Sequence, residues 1–479
     1  MRSLPAREQP LQTFRNRPGL LVAVLVFLAV ESTAVASLGT PLLATIQQAD
    51  HVSLAASQWA LTVTLLAGSV ATPLIGRLGD GRLRRPVTLS TVAVMLAGCV
   101  LSALPAGFAV FLAGRALQGV GLGLVPLATA AARDSLPERR SRPTIAWIGV
   151  TTAVGIGIGY PLVGLLAQYL GLGAPFWFVA ALSALALAAA AVTLPPSPER
   201  RAHPDLPGAA MLGLGITALL LLLAQGPAWG WAAPASLACA AAAVVLLAAW
   251  AVVELRAPHP LIDLRLLRRR PVLGANVTAF LVALGFYPLA SLVVRYVQAP
   301  AAAGYGFGAP VVTAALMLAP FSLASFAAAR IARPLARRTS AELVVAASCV
   351  VLIASMVLFL LARSAYWQIV VAMALDGFGV GCVYAVNPLQ ITGSVPAAET
   401  GSAISFYQVA RTVAYSLGSA LSATVLVLYI PRGHALPSAS GYSAAALVSV
   451  IILVAALVAS AVFAVPGPGG RKPVQEVTT

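Results

Sequence analysis

Residues 76–87 read G-R-L-G-D-G-R-L-R-R-P-V, a short charged segment that separates two long apolar runs. Four arginines and one aspartate lie within this segment, and glycines at positions 76, 79 and 81 let two helix ends approach each other. Clusters of arginine between apolar runs are typical of loops on the cytoplasmic side of a membrane. The segment therefore predicts two membrane helices joined by a tight cytoplasmic loop. An ordinary positively charged loop would explain the arginines, but not the aspartate and the glycines.

The composition is that of an integral membrane protein. Of the 479 residues, 60% are hydrophobic and 9% are charged, which leaves too little polar surface to cover a water-soluble globule. The net charge of +16 does not indicate a nucleic-acid partner, because the basic residues lie in short clusters between apolar runs. The four cysteines lie inside apolar runs without the spacing of a metal site, so we expect neither a metal nor a disulfide framework.

Apolar runs long enough to cross a bilayer recur along the chain. A bilayer core needs about twenty mainly apolar residues per helix, and the sequence has fourteen such runs. They cover residues 20–46, 55–78, 87–106, 107–132, 143–168, 174–194, 207–225, 233–254, 272–297, 309–332, 341–362, 366–395, 401–429 and 441–465. We expect the first run to be retained rather than cleaved as a signal peptide, because Glu31 interrupts its apolar core.

The basic residues predict the orientation of these fourteen spans. With the N-terminus inside, the inner segments carry 25 of the 30 Lys and Arg residues. The outer segments carry only Arg295, Arg363 and Arg432, and the other two, Arg115 and Arg411, lie within spans. Positive residues accumulate in cytoplasmic loops. We therefore expect a multi-pass protein of the cell (plasma or inner) membrane with both termini in the cytoplasm.

An internal repeat divides the chain into two related halves. Residues 116–121, A-L-Q-G-V-G, recur 258 positions later as A-L-D-G-F-G, and the charged segment recurs in weaker form at residues 329–338. We expect an all-α integral membrane protein with two pseudo-symmetric six-helix bundles and two extra central helices. The expected units are a cytoplasmic N-terminus (1–19), a first bundle (20–194), two linker helices with their cytoplasmic loops (195–271), a second bundle (272–465) and a cytoplasmic tail (466–479).

The charged segment resembles the loop signature between the second and third spans of the major facilitator superfamily. The matching residues are Gly76, Leu78, Asp80, Arg84 and Arg85, whereas Leu83 stands where the family normally has a second glycine. The resemblance implies that the substrate site lies between the two bundles near mid-membrane. It also implies that Gly76, Asp80, Arg84 and Arg85 control the conformational switch, with the Asp80 carboxylate stabilising the outward-open state.

Three further segments resemble proton-coupled members of this superfamily. Residues 115–121 resemble the signature of proton-coupled facilitators, and residues 30–35, V-E-S-T-A-V, resemble the opening of the fourteen-span drug:proton antiporters. Residues 155–164 resemble a glycine-rich antiporter signature, which Tyr160 interrupts; its members here are Gly155, Gly159, Pro161 and Gly164. Close packing of two helices would require the same glycines.

Four charged residues inside spans are candidates for proton coupling, namely Glu31, Arg115, Asp376 and Arg411. A guanidinium inside a span is costly unless it is paired, so Arg115 should face the central cavity or a buried carboxylate; the alternative is a side chain that reaches back to the membrane interface. Glu31 lies near mid-membrane, where it either titrates during transport or forms a structural ion pair. The sequence has no ATP-binding loop and no hydrolase motif, so we expect a proton gradient as the energy source, no cofactor and no enzyme activity.

Polar and aromatic residues at cavity depth form the predicted substrate site. The candidates are Gln58, Trp59, Tyr160, Phe286, Tyr287, Tyr384, Asn387, Tyr407 and Gln408. Aromatic residues near helix ends often belong instead to the interfacial belt. The predicted function is proton-coupled export of lipophilic or amphipathic small molecules by a monomer in the lipid bilayer, through alternating access. The alternatives are a dedicated exporter of one endogenous metabolite or lipid, and a membrane sensor or scaffold that transports nothing.

Overall fold

The computed structural model describes residues 18–79, 82–197, 206–257, 264–395, 400–432 and 436–464, and all regular structure within these ranges is helical. Helices suit a bilayer because every backbone N–H and C=O group finds its partner within one segment. The α-helices are α1 (Pro18–Ser37), α2 (Leu43–Ala49), α3 (Leu54–Gly79), α4 (Arg84–Ala103), α5 (Phe108–Val120), α6 (Leu124–Ser135), α7 (Glu138–Leu170), α8 (Ala174–Thr193), α9 (Leu206–Trp229), α10 (Pro234–Arg256), α11 (Arg270–Gln298), α12 (Val311–Leu316), α13 (Ala319–Arg338), α14 (Ala341–Leu361), α15 (Tyr366–Ser394), α16 (Thr400–Leu428) and α17 (Ala439–Ala464).

Several predicted spans are interrupted helices. A 3₁₀ turn at Thr40–Leu42, with Pro41 at its centre, separates α1 from α2. A second 3₁₀ turn at Gly121–Gly123 separates α5 from α6. Proline and glycine weaken the regular hydrogen bonding of a helix, yet each interrupted helix is apolar enough to form one span, at Pro18–Ala49 and Phe108–Ser135.

Twelve helical segments within the described residues are long and apolar enough to cross a membrane. The prediction of an all-α multi-pass membrane protein is therefore confirmed. Two more long helices, α7 and α9, lie where the fifth and seventh spans are predicted. The apolar part of α9 is short, at Pro207–Leu222, so the count of fourteen spans stays a prediction.

Each half of the chain has its own apolar core. One cluster of buried residues extends from Leu21 to Leu194, and another extends from Val282 to Ala456. The repeated glycines bring helices together in both. A side chain at Gly119 would collide with the carbonyl of Thr64, and one at Gly377 would collide with the carbonyl of Phe321. The repeat thus encodes the same close helix approach in each half.

Four groups of helices join the two halves. Helix α3 packs along α16, α7 packs against α12 and α13, and α2 touches α11. The pair α9 and α10 packs together, and α9 lies against both α3 and α16. Short connections make consecutive spans run in alternate directions, each interrupted helix counting as one span. We call the end of the bundle where α1 begins the proximal end, and the other the distal end.

Candidate functional site

An arginine surrounded by tyrosines lies in the middle of α16. The guanidinium carbon of Arg411 is 3.6 Å from the ring centroid of Tyr384, which is a cation–π contact. Arg411 donates hydrogen bonds to Gln408 Oε1 at 2.7 Å and to the Tyr415 hydroxyl at 2.8 Å. The Tyr415 hydroxyl in turn donates to the Tyr384 hydroxyl at 3.0 Å. These contacts fix the guanidinium with neutral partners alone.

Aromatic rings from other helices extend this group. Phe286 of α11 contacts the rings of Tyr384 and Tyr415 and stacks on Phe321 of α13, with a centroid distance of 5.8 Å to the latter. Tyr287 stacks on Tyr415 at 4.8 Å. From the first half, Tyr160 of α7 packs against the core of the second half. We call these residues, together with Tyr407, Gln408 and Arg411, the aromatic cluster.

The aromatic cluster lies at mid-depth in the bundle. Tyr160, Tyr287, Tyr384 and Arg411 are ten or eleven residues from the nearer end of their helices. At 1.5 Å per residue this is roughly 15 to 17 Å, or about half of a bilayer core. All four side chains are half-buried. Because they come from both halves and lie against one another, their exposed surface faces the interior of the bundle.

Arg115, the other arginine predicted for proton coupling, has a different environment. It is 1% exposed, and its Nε donates to the carbonyl of Ala60 at 2.9 Å. Its guanidinium also donates to Gln118, which donates to the carbonyl of Gly98 and to Ser102. The expectation of a carboxylate partner or a cavity-facing side chain is therefore wrong, as is the alternative of a side chain that reaches the interface. One carbonyl oxygen and one amide oxygen bind this guanidinium within the first half.

The two acidic candidates are buried without an ion pair. Glu31 is fully buried, and neither of its carboxylate oxygens has a hydrogen-bond partner among the described residues. The hydroxyl of Ser183 lies nearby but donates to the carbonyl of Val179. Asp376 is 1% exposed, and its Oδ1 lacks a partner within the same residues. Neither acid forms a salt bridge with Arg115 or Arg411, so the structure contradicts a structural ion pair at Glu31.

At the proximal end, the arginines of the charged segment bind to other helices of the first half. Arg84 forms a salt bridge with Asp134 at 2.7 Å and donates to the carbonyl of Gly79. Arg85 donates to the carbonyl of Ala191. Asp80 and Gly81 lie outside the described residues. Because Asp134 is the sole acid between positions 82 and 137, the sequence could have identified it as the partner of an arginine.

The glycines of the two signatures differ in what they touch. A side chain at Gly76 would meet no atom of the described residues within 4 Å, and the role of Gly76 in the switch loop stays a prediction. Gly155, Gly159, Pro161 and Gly164 all lie in α7. A side chain at Gly159 would collide with Ser37, and one at Gly164 would come within 2.7 Å of Ala315 in the other half. The glycine-rich face of α7 thus permits contact between the halves.

A second polar group joins the halves at the distal end. Arg295, assigned above to an outer segment, is buried in the last turn of α11. It donates to Gln58 Oε1 at 2.9 Å and to Ser57 at 3.1 Å, both in α3, and Gln58 donates to Ser419 of α16 at 2.8 Å. We call this group the distal polar bridge. Gln58, a predicted cavity residue, belongs to this bridge in the structure, and its place in the substrate cavity stays a prediction.

The other predicted cavity residues divide between the cluster and the helix packing. Tyr407 is buried, with its ring centroid 5.3 Å from the Arg411 guanidinium. Asn387 is buried and donates to the carbonyl of Ala275, so it fixes α15 against α11 rather than lining a cavity. Trp59 is half-buried beside Gln58.

Two members of the cluster, Tyr415 and Phe321, were missed from the sequence. The spacing of positions 407, 411 and 415 places two tyrosines on the same helix face as Arg411, and this pattern could have revealed Tyr415. Phe321 lies on a different helix, α13, and no local pattern relates it to Arg411.

Comparisons with known proteins agree with this architecture. The chain is 32% identical over 299 residues to the tetracenomycin C resistance and export protein of Streptomyces glaucescens, which is 60% of this chain and 54% of that protein. It is 26% identical over 380 residues to the multidrug resistance protein Stp of Mycobacterium tuberculosis, covering 78% of this chain and 69% of Stp. The chain thus spans little more than half of the first relative's length.

Solved structures and a family model give the same result. The nucleoside transporter NupG superposes with a TM-score of 0.64 at 14% identity, covering 93% of this chain and 100% of NupG. The model of the Major Facilitator Superfamily matches residues 20–419. This chain therefore belongs to the Major Facilitator Superfamily.

Proposed function

We propose that the protein is a proton-coupled secondary active transporter that exports lipophilic or amphipathic small molecules by alternating access. The aromatic cluster is the observation that carries this proposal. It lies at mid-depth, receives side chains from both halves, and combines apolar rings with a fixed cation. Its position favours a cargo that contacts both halves at once, as alternating access requires. The names of two relatives, one an export protein and one a multidrug resistance protein, favour efflux.

Glu31 and Asp376 are the proposed proton carriers. A carboxylate buried among apolar residues is costly to ionise unless it has a partner, and these two acids have no salt bridge among the described residues. Movement of the halves that admits water to either acid would lower this cost and release a proton. In this mechanism protonation from outside accompanies cargo release, and deprotonation toward the cytoplasm restores the binding state.

The proposed topology has fourteen spans with both termini in the cytoplasm. The charge distribution of the loops favours this orientation. Helices α7 and α9 would supply the two spans beyond the twelve apolar ones, and α9 and α10 would be the pair inserted between two six-helix bundles. This arrangement corresponds to the fourteen-span drug:proton antiporters. The distal polar bridge would then close the outer side and would break whenever the cavity opens outward.

Flux in proteoliposomes under an imposed pH gradient tests the function. Wild-type protein should concentrate lipophilic aromatic compounds against their gradient, and a protonophore should abolish this accumulation. Glu31→Gln should bind cargo but lose gradient-driven flux, because a neutral amide carries no proton. A mutant that still concentrates cargo would assign the proton to Asp376 instead. Equal accumulation in protein-free liposomes would refute transport altogether.

An exporter dedicated to one natural product is the second candidate. The relative from Streptomyces glaucescens is named for resistance to a single compound and for its export. The same flux assay distinguishes the two candidates by breadth. A multidrug exporter accumulates structurally unrelated compounds, whereas a dedicated exporter accumulates only close analogues of one.

A further inference from the structure

The aromatic cluster contains a positive charge that no acid among the described residues neutralises. The described residues form two salt bridges, both to Asp134 at the proximal end. The residues that contact the Arg411 guanidinium are Tyr384, Tyr407, Gln408 and Tyr415, all of them neutral. Charged side chains inside membrane proteins usually pair with an opposite charge. An arginine without such a pair at a half-buried, interior-facing position is suited to an anionic ligand.

The guanidinium also has donors to spare. It carries five N–H groups, and three of its bonds among the described residues go to Gln408 and Tyr415. The buried hydroxyl of Tyr407, beside the same guanidinium, has no hydrogen-bond partner in that set. N–H groups of the guanidinium therefore remain for the oxygen atoms of a ligand, beside the Tyr407 hydroxyl. A carboxylate or a phenolate accepts hydrogen bonds from such donors.

The surrounding aromatic rings favour a planar aromatic group in the part of the ligand that Arg411 does not bind. Tyr287 and Tyr415 are stacked with an angle of 24° between their planes, and Phe286 and Phe321 are stacked with an angle of 13°. Flat apolar surfaces of this kind pack best against another planar ring. The face of Tyr384 that would attract a cationic ligand is already covered by Arg411. A cation in the same space would be repelled by the guanidinium.

We propose that the aromatic cluster binds planar aromatic molecules that carry an anionic group, with the anion on Arg411 and the ring system against Tyr287 and Phe286. The proposal rests on the function proposed above and names the class of its cargo. Charge-assisted hydrogen bonds to a guanidinium are the strongest polar contacts that the cluster offers. They would set the preference among aromatic molecules of equal size.

Binding of three probes with one ring system tests this preference. The probes are anthracene carboxylate, its methyl ester and anthracene methylamine, which are anionic, neutral and cationic at neutral pH. Titration calorimetry with the protein in nanodiscs of zwitterionic lipid, corrected by empty nanodiscs, gives the three affinities. We expect the carboxylate to bind about tenfold to a hundredfold more tightly than the other two. Equal or tighter binding of the methylamine would overturn the proposal.

Two arginine variants test whether Arg411 causes the preference for the anionic probe. Arg411→Gln should bind all three probes with the affinity of the ester. Arg330→Gln is the matched control, because Arg330 also stacks on a ring, that of Phe326 at 4.2 Å, but is exposed and lies outside the cluster. This variant should keep the wild-type preference. An Arg411→Gln protein that keeps the preference would refute the site, and if this variant does not fold, the wild-type series still decides.

Flux separates this proposal from the transport function. Selective binding of the carboxylate without gradient-driven flux would retain the ligand class and refute proton-coupled export. Gradient-driven flux of the methylamine but not of the carboxylate would retain export and refute the ligand class. Flux of the carboxylate that Arg411→Gln abolishes and Arg330→Gln preserves would support both.

Discussion

The two copies of the internal repeat place different side chains at one equivalent position. In the first half Gln118 accepts a hydrogen bond from Arg115 and donates to Ser102 and to the carbonyl of Gly98. In the second half, 258 positions later, Asp376 occupies the position equivalent to Gln118, and Met373 occupies the position equivalent to Arg115. Asp376 Oδ1 has no hydrogen-bond partner among the described residues. Both sites are buried, and the glycines beside them pack alike.

The difference separates a structural polar group from a functional one. A buried network with every member bonded holds helices in one arrangement, and it loses free energy when any member is removed. A buried carboxylate without a partner adds nothing to the fold and is costly when ionised. An ionisable residue of this kind inside a membrane helix is by default a candidate for function. The two halves thus share one scaffold but use the same position for packing in the first half and, in our proposal, for proton transfer in the second.

The largest effect should follow from breaking the bonded network. Gln118→Leu leaves the Arg115 guanidinium buried with one partner fewer, and it also removes the bonds to Ser102 and Gly98. We expect a loss of about 1 to 3 kcal/mol in the free energy of unfolding. Thermal unfolding in detergent measures this as a lower midpoint. Met373→Leu is the control, because it replaces a buried side chain of similar volume in the second half and should cost less than about 1.5 kcal/mol. An unchanged midpoint for Gln118→Leu would show that the network is dispensable.

More of the fold than of the candidate site could be predicted from the sequence. The length and spacing of apolar runs are imposed by the bilayer, so the helices lie close to the predicted spans. The direction in which a side chain points from a span could not be predicted in this way, because nearly every residue around an intramembrane helix is apolar. Asn387 and Gln58 were assigned to the cavity for this reason, yet one fixes α15 to α11 and the other lies in the distal polar bridge.

Residues that act through distant partners were the hardest to predict. Arg295 binds Gln58, which is 237 positions earlier in the chain, so no local pattern reveals the pair. Arg411 is different, because Tyr407, Gln408 and Tyr415 lie within four residues of it on one face of the same helix. Contacts within one helix, such as those of Arg411, can be predicted from residue spacing. Contacts between helices of the two halves, such as that of Arg295 with Gln58, depend on how the halves pack.

A smaller effect is expected at the proximal end, where the salt bridge between Arg84 and Asp134 also lies within one half. The arginine side chain is 8% exposed and that of the aspartate is 26% exposed, so water screens the pair in part. A double-mutant cycle with Arg84→Gln and Asp134→Asn should give a coupling energy of about 1 kcal/mol in thermal unfolding. The pair formed by Arg133 and Asp134 is more exposed on the arginine side, at 59%, and a cycle with Arg133→Gln should give less. Equal coupling in the two cycles would contradict a specific role for Arg84.

The smallest effect on stability should come from Asp376→Asn, the change that makes the second repeat resemble the first. The substitution keeps the size of the side chain and removes no hydrogen bond from Oδ1, so the unfolding midpoint should move by less than the equivalent of about 1 kcal/mol. Gln118→Leu, at the equivalent position, provides the contrast.

If Asp376 contributes to coupling, Asp376→Asn should also reduce the number of protons exchanged per cargo molecule, measured as proton flux against cargo flux in proteoliposomes. A large loss of stability in Asp376→Asn would mean that the carboxylate has a structural partner, and the comparison between the two repeats would then fail. A stable variant with wild-type proton flux would leave Glu31, the other proposed proton carrier, as the carrier.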